Sequence, residues 1–377
     1  MHKSHERALQ ALAQRGRHRA LQPRAGADFA SNDYLALASA PELIDAARAA
    51  LERGVSVGAG GSRLLRGNDR EHEALETEAA AFFQAESALF FGSGFMANVA
   101  LFSTLPQRGD LIVHDALIHA SVHDGMRASK AERAEAHHND AASFEDAIKD
   151  WRAAGGTGTP WIAVGSLYSM DGDRAPLGDL IEIAERHGGV LIVDEAHATG
   201  VLGPDGRGLS AGLEGRADLI TLHTCGKALG VMGALVLGPK VLCDYLINRC
   251  RPFIYATAPS PLITALVRAS LMICRFDNGR RERLQKLVAF AAEQLAAQCG
   301  VAPSGSQIQP VIVGANERAI GLASAMQARG FDIRAIRPPT VPEGTARLRV
   351  SVTLNVTEER VAAMAAALAE EQARLAP

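Results

Sequence analysis

Apolar residues along the chain follow two rhythms. In Val190-Leu191-Ile192-Val193 and Leu219-Ile220-Thr221-Leu222 they run almost without interruption. Short length and β-branched content make these strands buried on both faces. Ser87-Ala88-Leu89-Phe90-Phe91, Leu111-Ile112-Val113 and the run from Trp161 to Ser166 have the same character. Helical spacing appears from Pro41 to Arg53, with proline at the first turn, and from Phe95 to Leu105. Between Leu180 and Leu237 helix and strand patterns alternate, which predicts a mostly parallel sheet joined by crossovers. Beyond it, two long helices, about Pro261 to Phe276 and Arg280 to Cys299, lead to strand Ile308 to Val313, helix Asn316 to Arg329, a proline-rich turn, strand Arg347 to Leu354 and a helix from Thr357. Leu9, Leu12 and Ala13 sit at helical spacing between His5 and Arg19, so a helix docking on the body is expected there.

These patterns divide the 377 residues into an N-terminal docking helix and arm (1–40), a large α/β domain (41–260), and linking helices with a smaller α+β C-terminal domain (261–377). A net charge of −3 and a pI near 6.5 give no bulk attraction to nucleic acid or to a membrane surface. The arginines from Arg15 to Arg24 form a local basic cluster of the kind that usually lies on a solvated helix face. Five cysteines, odd in number and without a C-x-x-C pair, suggest neither a disulfide framework nor a thiolate zinc site. The longest apolar candidate for a membrane span, Leu262 to Cys274, carries Arg268 in its middle. The N-terminus lacks the apolar core of a signal peptide, so a soluble protein of the reducing cytoplasm is expected.

Chemistry concentrates between Gly189 and Gly233. Asp194 stands where a buried strand leaves its sheet, either as a cap for the following turn or as the partner of a cationic ring nitrogen. Lys227 follows a second buried strand, in the small-residue loop Thr224-Cys225-Gly226-Lys227-Ala228, where solubility is no reason for a lysine. A lysine in such a place can form the Schiff base that pyridoxal phosphate (PLP) enzymes require, with Asp194 keeping the pyridine nitrogen protonated and His197 in reach of the ring's phenolic oxygen. Strand 87–91, the turn Gly92-Ser93-Gly94 and the helix after it present backbone N–H groups to an anion such as the cofactor's phosphate, or form an ordinary βα turn. The hydroxyl of Thr224 is a further phosphate ligand by position. His119 and His123 share a helical face, but no acidic or cysteine partner at ligand spacing supports a metal, and none is expected. Arg347 and Arg349 alternate with Leu348 and Val350, leaving a polar side that is either a solvated edge or a guanidinium fork for a carboxylate.

Two phosphate-site readings fail on context. Gly58-Ala59-Gly60-Gly61 follows a helix and not a strand, so it is no dinucleotide fingerprint. Asp194-Glu195-Ala196-His197 spells a helicase motif, yet the only Gly-Lys pair, Gly226-Lys227, follows it in the chain, precedes Ala228 and lacks the phosphate-loop pattern.

Asp194-Glu195-Ala196-His197-Ala198-Thr199-Gly200, followed by Thr224-Cys225-Gly226-Lys227-Ala228-Leu229-Gly230, resembles the α-oxoamine synthases. Further matches extend from Ser31-Asn32-Asp33-Tyr34-Leu35 to Arg337-Pro338-Pro339-Thr340-Val341-Pro342 and Arg347-Leu348-Arg349. The resemblance implies a PLP-dependent transferase of fold type I, in which a large domain with a mostly parallel seven-stranded sheet carries a smaller α+β C-terminal domain, assembled as a homodimer. It implies Lys227, His119 and Asp194 as catalytic residues, with His119 stacked on the ring, and Gly94, Phe95, Ser169, His197 and Thr224 as further cofactor contacts. Asn32, His119, Thr340 and Arg349 fall on substrate positions, Arg349 as the amino-acid carboxylate anchor. Arg19 is the candidate for the acyl-thioester contact, with Arg15 and Arg17 as competitors close by. Within the family the motifs lie nearest to members that condense L-alanine with a pimeloyl thioester of coenzyme A (CoA) or acyl carrier protein, losing carbon dioxide. A sister reaction using glycine with acetyl-CoA or succinyl-CoA is the alternative, and a non-catalytic PLP-binding protein the remote one. One departure stands out: Gly165 occupies a position where relatives commonly carry glutamate.

Overall fold

The computed structural model describes residues 2–375, in two compact units. The larger comprises Leu35–Tyr168 and Arg174–Arg281; the smaller comprises the chain up to Tyr34, Ser169–Asp173 and the chain from Glu282 onward. The division differs from the expected one at both ends. Helix Pro261–Phe276 belongs to the large unit because Thr264, Val267, Ser270, Leu271 and Cys274 are buried there, so the linker lies a helix later than 260. The N-terminal segment joins the small unit, where Ala27–Asp28 pairs in parallel with Phe331–Asp332. The first helix, Lys3–Gln14, buries no residue, and Leu9 and Leu12 remain 52% and 41% exposed, so the expected docking of this helix does not occur on its own chain.

The large unit is built on a seven-stranded sheet in the order Ser87–Phe91, Ala234–Gly238, Leu219–Thr224, Val190–Asp194, Pro160–Gly165, Leu111–Asp115, Glu132–Ala136. The last five are mutually parallel, and Ala234–Gly238 is antiparallel to both its neighbours. Side-chain alternation sends Ile112, Ala163, Ile192, Ile220 and Leu222 into one apolar layer and Leu111, Val113, Ile162, Val164, Leu191 and Val193 into the other. Helices cover both layers, which is why these strands read as unbroken apolar runs. The topology brings the residues that follow Phe91, Asp115, Gly165, Asp194 and Thr224 to the same edge of the sheet. Open α/β sheets bind ligands outside the carboxyl ends of their strands.

The small unit holds an antiparallel three-stranded sheet in the order Arg334–Ile336, Ala346–Ser351, Ile308–Gly314. Leu348, Val350 and Val352 enter its core beneath helices Asn316–Ala328 and Glu358–Arg374, together with Leu322, Met326, Val361, Met364 and Leu368. The alternation expected at Arg347 to Thr353 is present, but its polar side is no solvated edge: Arg347, Arg349, Ser351 and Thr353 are all buried.

Candidate active site

At the carboxyl edge of the large unit, Asp194 ends its strand and accepts two hydrogen bonds. The backbone N–H of Ala196 reaches Oδ1 at 3.0 Å, and Nδ2 of Asn98 reaches Oδ2 at 2.7 Å. The first bond is the turn cap anticipated from position. The second leaves the carboxylate oriented by a side chain from a neighbouring helix, with lone pairs remaining for a ring N–H. Glu195, next in sequence, points the other way into a fully buried site, where it accepts from Ser166 Oγ and from the backbone N–H groups of Leu209 and Ser210. Burial raises its pKa and these donors oppose the rise. Glu195 thus fastens the loop after the strand, while the Asp194 carboxylate is held by Asn98 and the Ala196 N–H.

Helix Gly94–Thr104 begins one turn beyond strand Ser87–Phe91, capped by Ser93, whose Oγ accepts from the Met96 N–H at 3.2 Å. The N–H groups of Gly94 and Phe95 occupy the first two helical positions, which have no acceptor inside the helix. A Cβ added at Gly94 would lie 3.4 Å from Oγ1 of Thr224, so the glycine lets the helix start come up against that hydroxyl. Thr224 itself is held by the Gly233 carbonyl and the Gly226 N–H at the end of strand Leu219–Thr224. Two backbone donors, a hydroxyl and the positive end of a helix dipole suit a phosphate. Phe95, 49% exposed, stands beside them.

His119 caps helix Ala120–Ala128 through its own ring, Nδ1 accepting from the Ser121 N–H at 3.3 Å. The residue is solvent-exposed, as a stacking face must be, yet desolvation by the protein around its imidazole lowers the pKa. Asp194 opposes that shift and Lys227 adds to it, so both of the other expected catalytic groups act on the imidazole. Lys227 is half-buried in the loop after Thr224. His197 is buried a short step past Asp194. Cys225 is fully buried beside the lysine and its thiol is pushed up by burial, which removes it as a competing nucleophile. His123 packs edge-on against His114, ring centroids 5.0 Å apart, and among the described residues no group of three or more His, Cys, Asp or Glu could hold a metal ion. Gly165, paired across the sheet with Asp194, would place a Cβ 3.8 Å from the Tyr168 ring, so a side chain there meets ordinary contact and no clash.

His223 is scaffold. Thr199 Oγ1 donates to the Glu195 carbonyl, so it accepts from Nδ1 of His223 at 2.9 Å, and Thr221 Oγ1 donates to Nε2 at 3.0 Å. Burial lowers its pKa to about 3.

In the small unit Arg349 is 7% exposed and every donor it uses goes to a neutral acceptor. Nη1 reaches Ser351 Oγ at 2.7 Å, Nη2 reaches Asn32 Oδ1 at 2.9 Å and Tyr34 Oη at 3.1 Å, and Nε reaches the Ser169 carbonyl. Arg347, two residues away on the same side of the strand, is instead paired with Asp171. Among the described residues Arg349 has no carboxylate partner, and a buried guanidinium without one is prepared for an anion from outside. Asn32 and Ser169, expected as substrate and cofactor contacts, meet here on that guanidinium, Ser169 through its backbone. Arg19 and Thr340 line one small cavity of about 90 Å³ with Arg17, Arg337 and Pro338. Arg17 is paired with Glu343, whereas Arg15 does not line the cavity.

Sequence reasoning missed Asn98, Ser121 and Tyr34 as site residues. Asn98 was detectable in principle, as an asparagine in the apolar run Phe95 to Leu101. The role of Tyr34 depends on a strand more than 300 residues away, for which no local pattern exists.

A family model for class I and II aminotransferases matches residues 25–368. An 8-amino-7-oxononanoate synthase from Chromobacterium violaceum is 44% identical over 327 residues, 86% of this chain and 84% of the relative. One from Burkholderia mallei is 41% identical over 361 residues, 94% and 90%. Among solved structures, a PLP-bound serine palmitoyltransferase from S. paucimobilis matches with a TM-score of 0.89 at 25% identity over 99% of this chain and 98% of that one. An 8-amino-7-oxononanoate synthase from Francisella tularensis matches with a TM-score of 0.77 at 30% identity, over 93% and 98%.

Proposed function

The chain belongs to the PLP-dependent α-oxoamine synthases within the class I and II aminotransferase family, and from that premise we propose that it catalyses the decarboxylative condensation of L-alanine with a pimeloyl thioester, the 8-amino-7-oxononanoate synthase reaction of biotin biosynthesis. Bound PLP supplies an electron sink for the electron pair left at the amino acid's α-carbon. Lys227 would hold the cofactor through its aldehyde, and its Nζ would be the base for the α-proton. Asp194 would accept the ring N–H, Gly94, Phe95 and Thr224 would take the phosphate, His119 would cover the ring face and His197 would serve the phenolic oxygen. Arg349 would hold the alanine carboxylate through its guanidinium fork. Arg19 and Thr340 contact the acyl thioester.

The observation that carries the reading is the buried Arg349 guanidinium, held only by neutral acceptors and so open to an amino-acid carboxylate. A non-catalytic binding protein has no use for that anchor together with an intact Lys227. The serine palmitoyltransferase likeness is the stronger in backbone, 0.89 against 0.77 in TM-score, but the sequence identity is higher toward the relatives named 8-amino-7-oxononanoate synthase, and side chains decide which amino acid fits. We further propose a cytoplasmic homodimer, and assign Val57, Leu65, Met232 and Tyr255, apolar side chains 58–84% exposed on the large unit, to its subunit contact. No helix among the described residues is long and apolar enough to cross a membrane. The thioester carrier is CoA or an acyl carrier protein.

Carbon dioxide release, measured with alanine or glycine against pimeloyl, acetyl and succinyl thioesters, tests the reading. Alanine with a pimeloyl thioester is expected to give the fastest release and 8-amino-7-oxononanoate as product. Preference for glycine with a short acyl group overturns it.

A further inference from the structure

A chain of hydrogen bonds in the large unit joins Asp194 to His119 through two residues that the functional reading leaves without a part. Asn98, on helix Gly94–Thr104, is 2% exposed. Its Nδ2 donates to Oδ2 of Asp194 at 2.7 Å and to Oγ of Ser121 at 3.0 Å. Ser121, fully buried, brings its Oγ to 2.7 Å from Nδ1 of His119, and its backbone N–H points at the same nitrogen.

The proton directions follow from what each group can do. An amide NH₂ only donates, so Ser121 Oγ accepts from Asn98. A backbone N–H only donates, so Nδ1 of His119 accepts, and the Ser121 hydroxyl proton is left to point at Nδ1 as well. The neutral imidazole therefore carries its proton on Nε2. Turning the Asn98 amide over would set its oxygen against the Asp194 carboxylate. In the observed orientation Oδ1 is buried without a partner, a vacancy that marks both donors as the reason for the placement.

We propose that Asn98 and Ser121 are positioning residues that hold the Asp194 carboxylate by Oδ2 and lock His119 in its neutral Nε2–H tautomer, so that this histidine serves the reaction as a hydrogen-bond donor and not as a base. The inference rests on the reading of Asp194 and His119 as cofactor-facing groups. Asp194 and Lys227 also act on the imidazole, in opposite senses, and neither can direct a proton onto Nε2 as the two donors to Nδ1 do.

Long-range ¹⁵N NMR of the His119 ring in the full-length protein without PLP tests the lock independently of turnover, His119→Gln identifying the signal. Wild type is expected to show Nδ1 bare and Nε2 protonated in the neutral form. Ser121→Ala removes one oxygen and is expected to raise both the Nδ1–H population and the protonated fraction at a given pH by about fivefold, the worth of one hydrogen bond. Asn98→Ala, or Asn98→Ser should the alanine variant fail to fold, moves the same signals the same way without touching His119. The double variant goes no further than Ser121→Ala alone, because the two act in series. Nδ1–H in wild type, or a His119 indifferent to either variant, overturns the proposal. A lock that appears by NMR in a protein inactive with alanine and pimeloyl thioester contradicts the functional reading alone; an active protein without the lock contradicts this inference alone.

Discussion

Arg349 combines two roles that its variants can separate. Its guanidinium satisfies Asn32, Tyr34, Ser169 and Ser351, and it offers charge to a carboxylate. Arg349→Lys keeps the charge but loses the fork, so KM for alanine is expected to rise by roughly 10- to 100-fold, about 1.5–3 kcal/mol of charged hydrogen bonding, with KM for the thioester and the absorbance of the bound cofactor little changed. Steady-state kinetics with each substrate varied in turn checks this. His223 makes a prediction about pH. Its folded pKa of about 3 lies below the unfolded value near 6.5, so the unfolded chain binds the extra proton and stability falls as pH drops below about 6.5. Between pH 7 and 5 that one residue costs about 2 kcal/mol, and the lowered His119 acts in the same direction. Urea unfolding at the two pH values should show the loss, and His223→Asn should lose correspondingly less.

At the scale of elements, the site is a set of strand ends and helix starts, and its tolerance follows their packing. Thr224→Val is nearly isosteric and removes the hydroxyl that meets the helix start at Gly94; the PLP dissociation constant is expected to rise about tenfold in a fluorescence titration. Gly208 takes φ +103°, and a Cβ there would fall 2.6 Å from the Glu195 carboxyl, which three donors hold in place. Gly208→Ala should therefore cost at least about 2 kcal/mol in thermal unfolding, whereas Gly165→Ala, with nothing nearer than 3.8 Å, should cost less than about 1 kcal/mol. The central strands were legible in sequence because both of their faces are apolar, and so was the place of Asp194 at the end of one of them and of Lys227 in the loop after another. The two faces of Arg347 to Thr353 were legible too, but the burial of the polar one was not: it depends on Asp171, Asn32 and Tyr34, which come from distant segments. The N-terminal helix misled for the converse reason. Its spacing is amphipathic, but spacing does not say what the apolar stripe covers, and on this chain nothing covers it.

For the whole molecule, family membership fixes the cofactor, and the architecture brings five separate strand ends to the carboxyl edge of one sheet, the edge at which the proposal puts the chemistry. The proposed assembly is testable at the same scale. Light scattering should report twice the mass of the 39.8 kDa chain, and Leu65→Asp, which puts a charge on an 84% exposed leucine, should shift the protein toward the monomer. The central claim, however, is that a single amine, placed after the strand that ends at Thr224, carries the cofactor. Borohydride reduction of the PLP-loaded protein followed by peptide mapping addresses it most directly. The account predicts one phosphopyridoxyl group, on Lys227, and no yellow colour in Lys227→Ala; a label on any other lysine, or none at all, contradicts it.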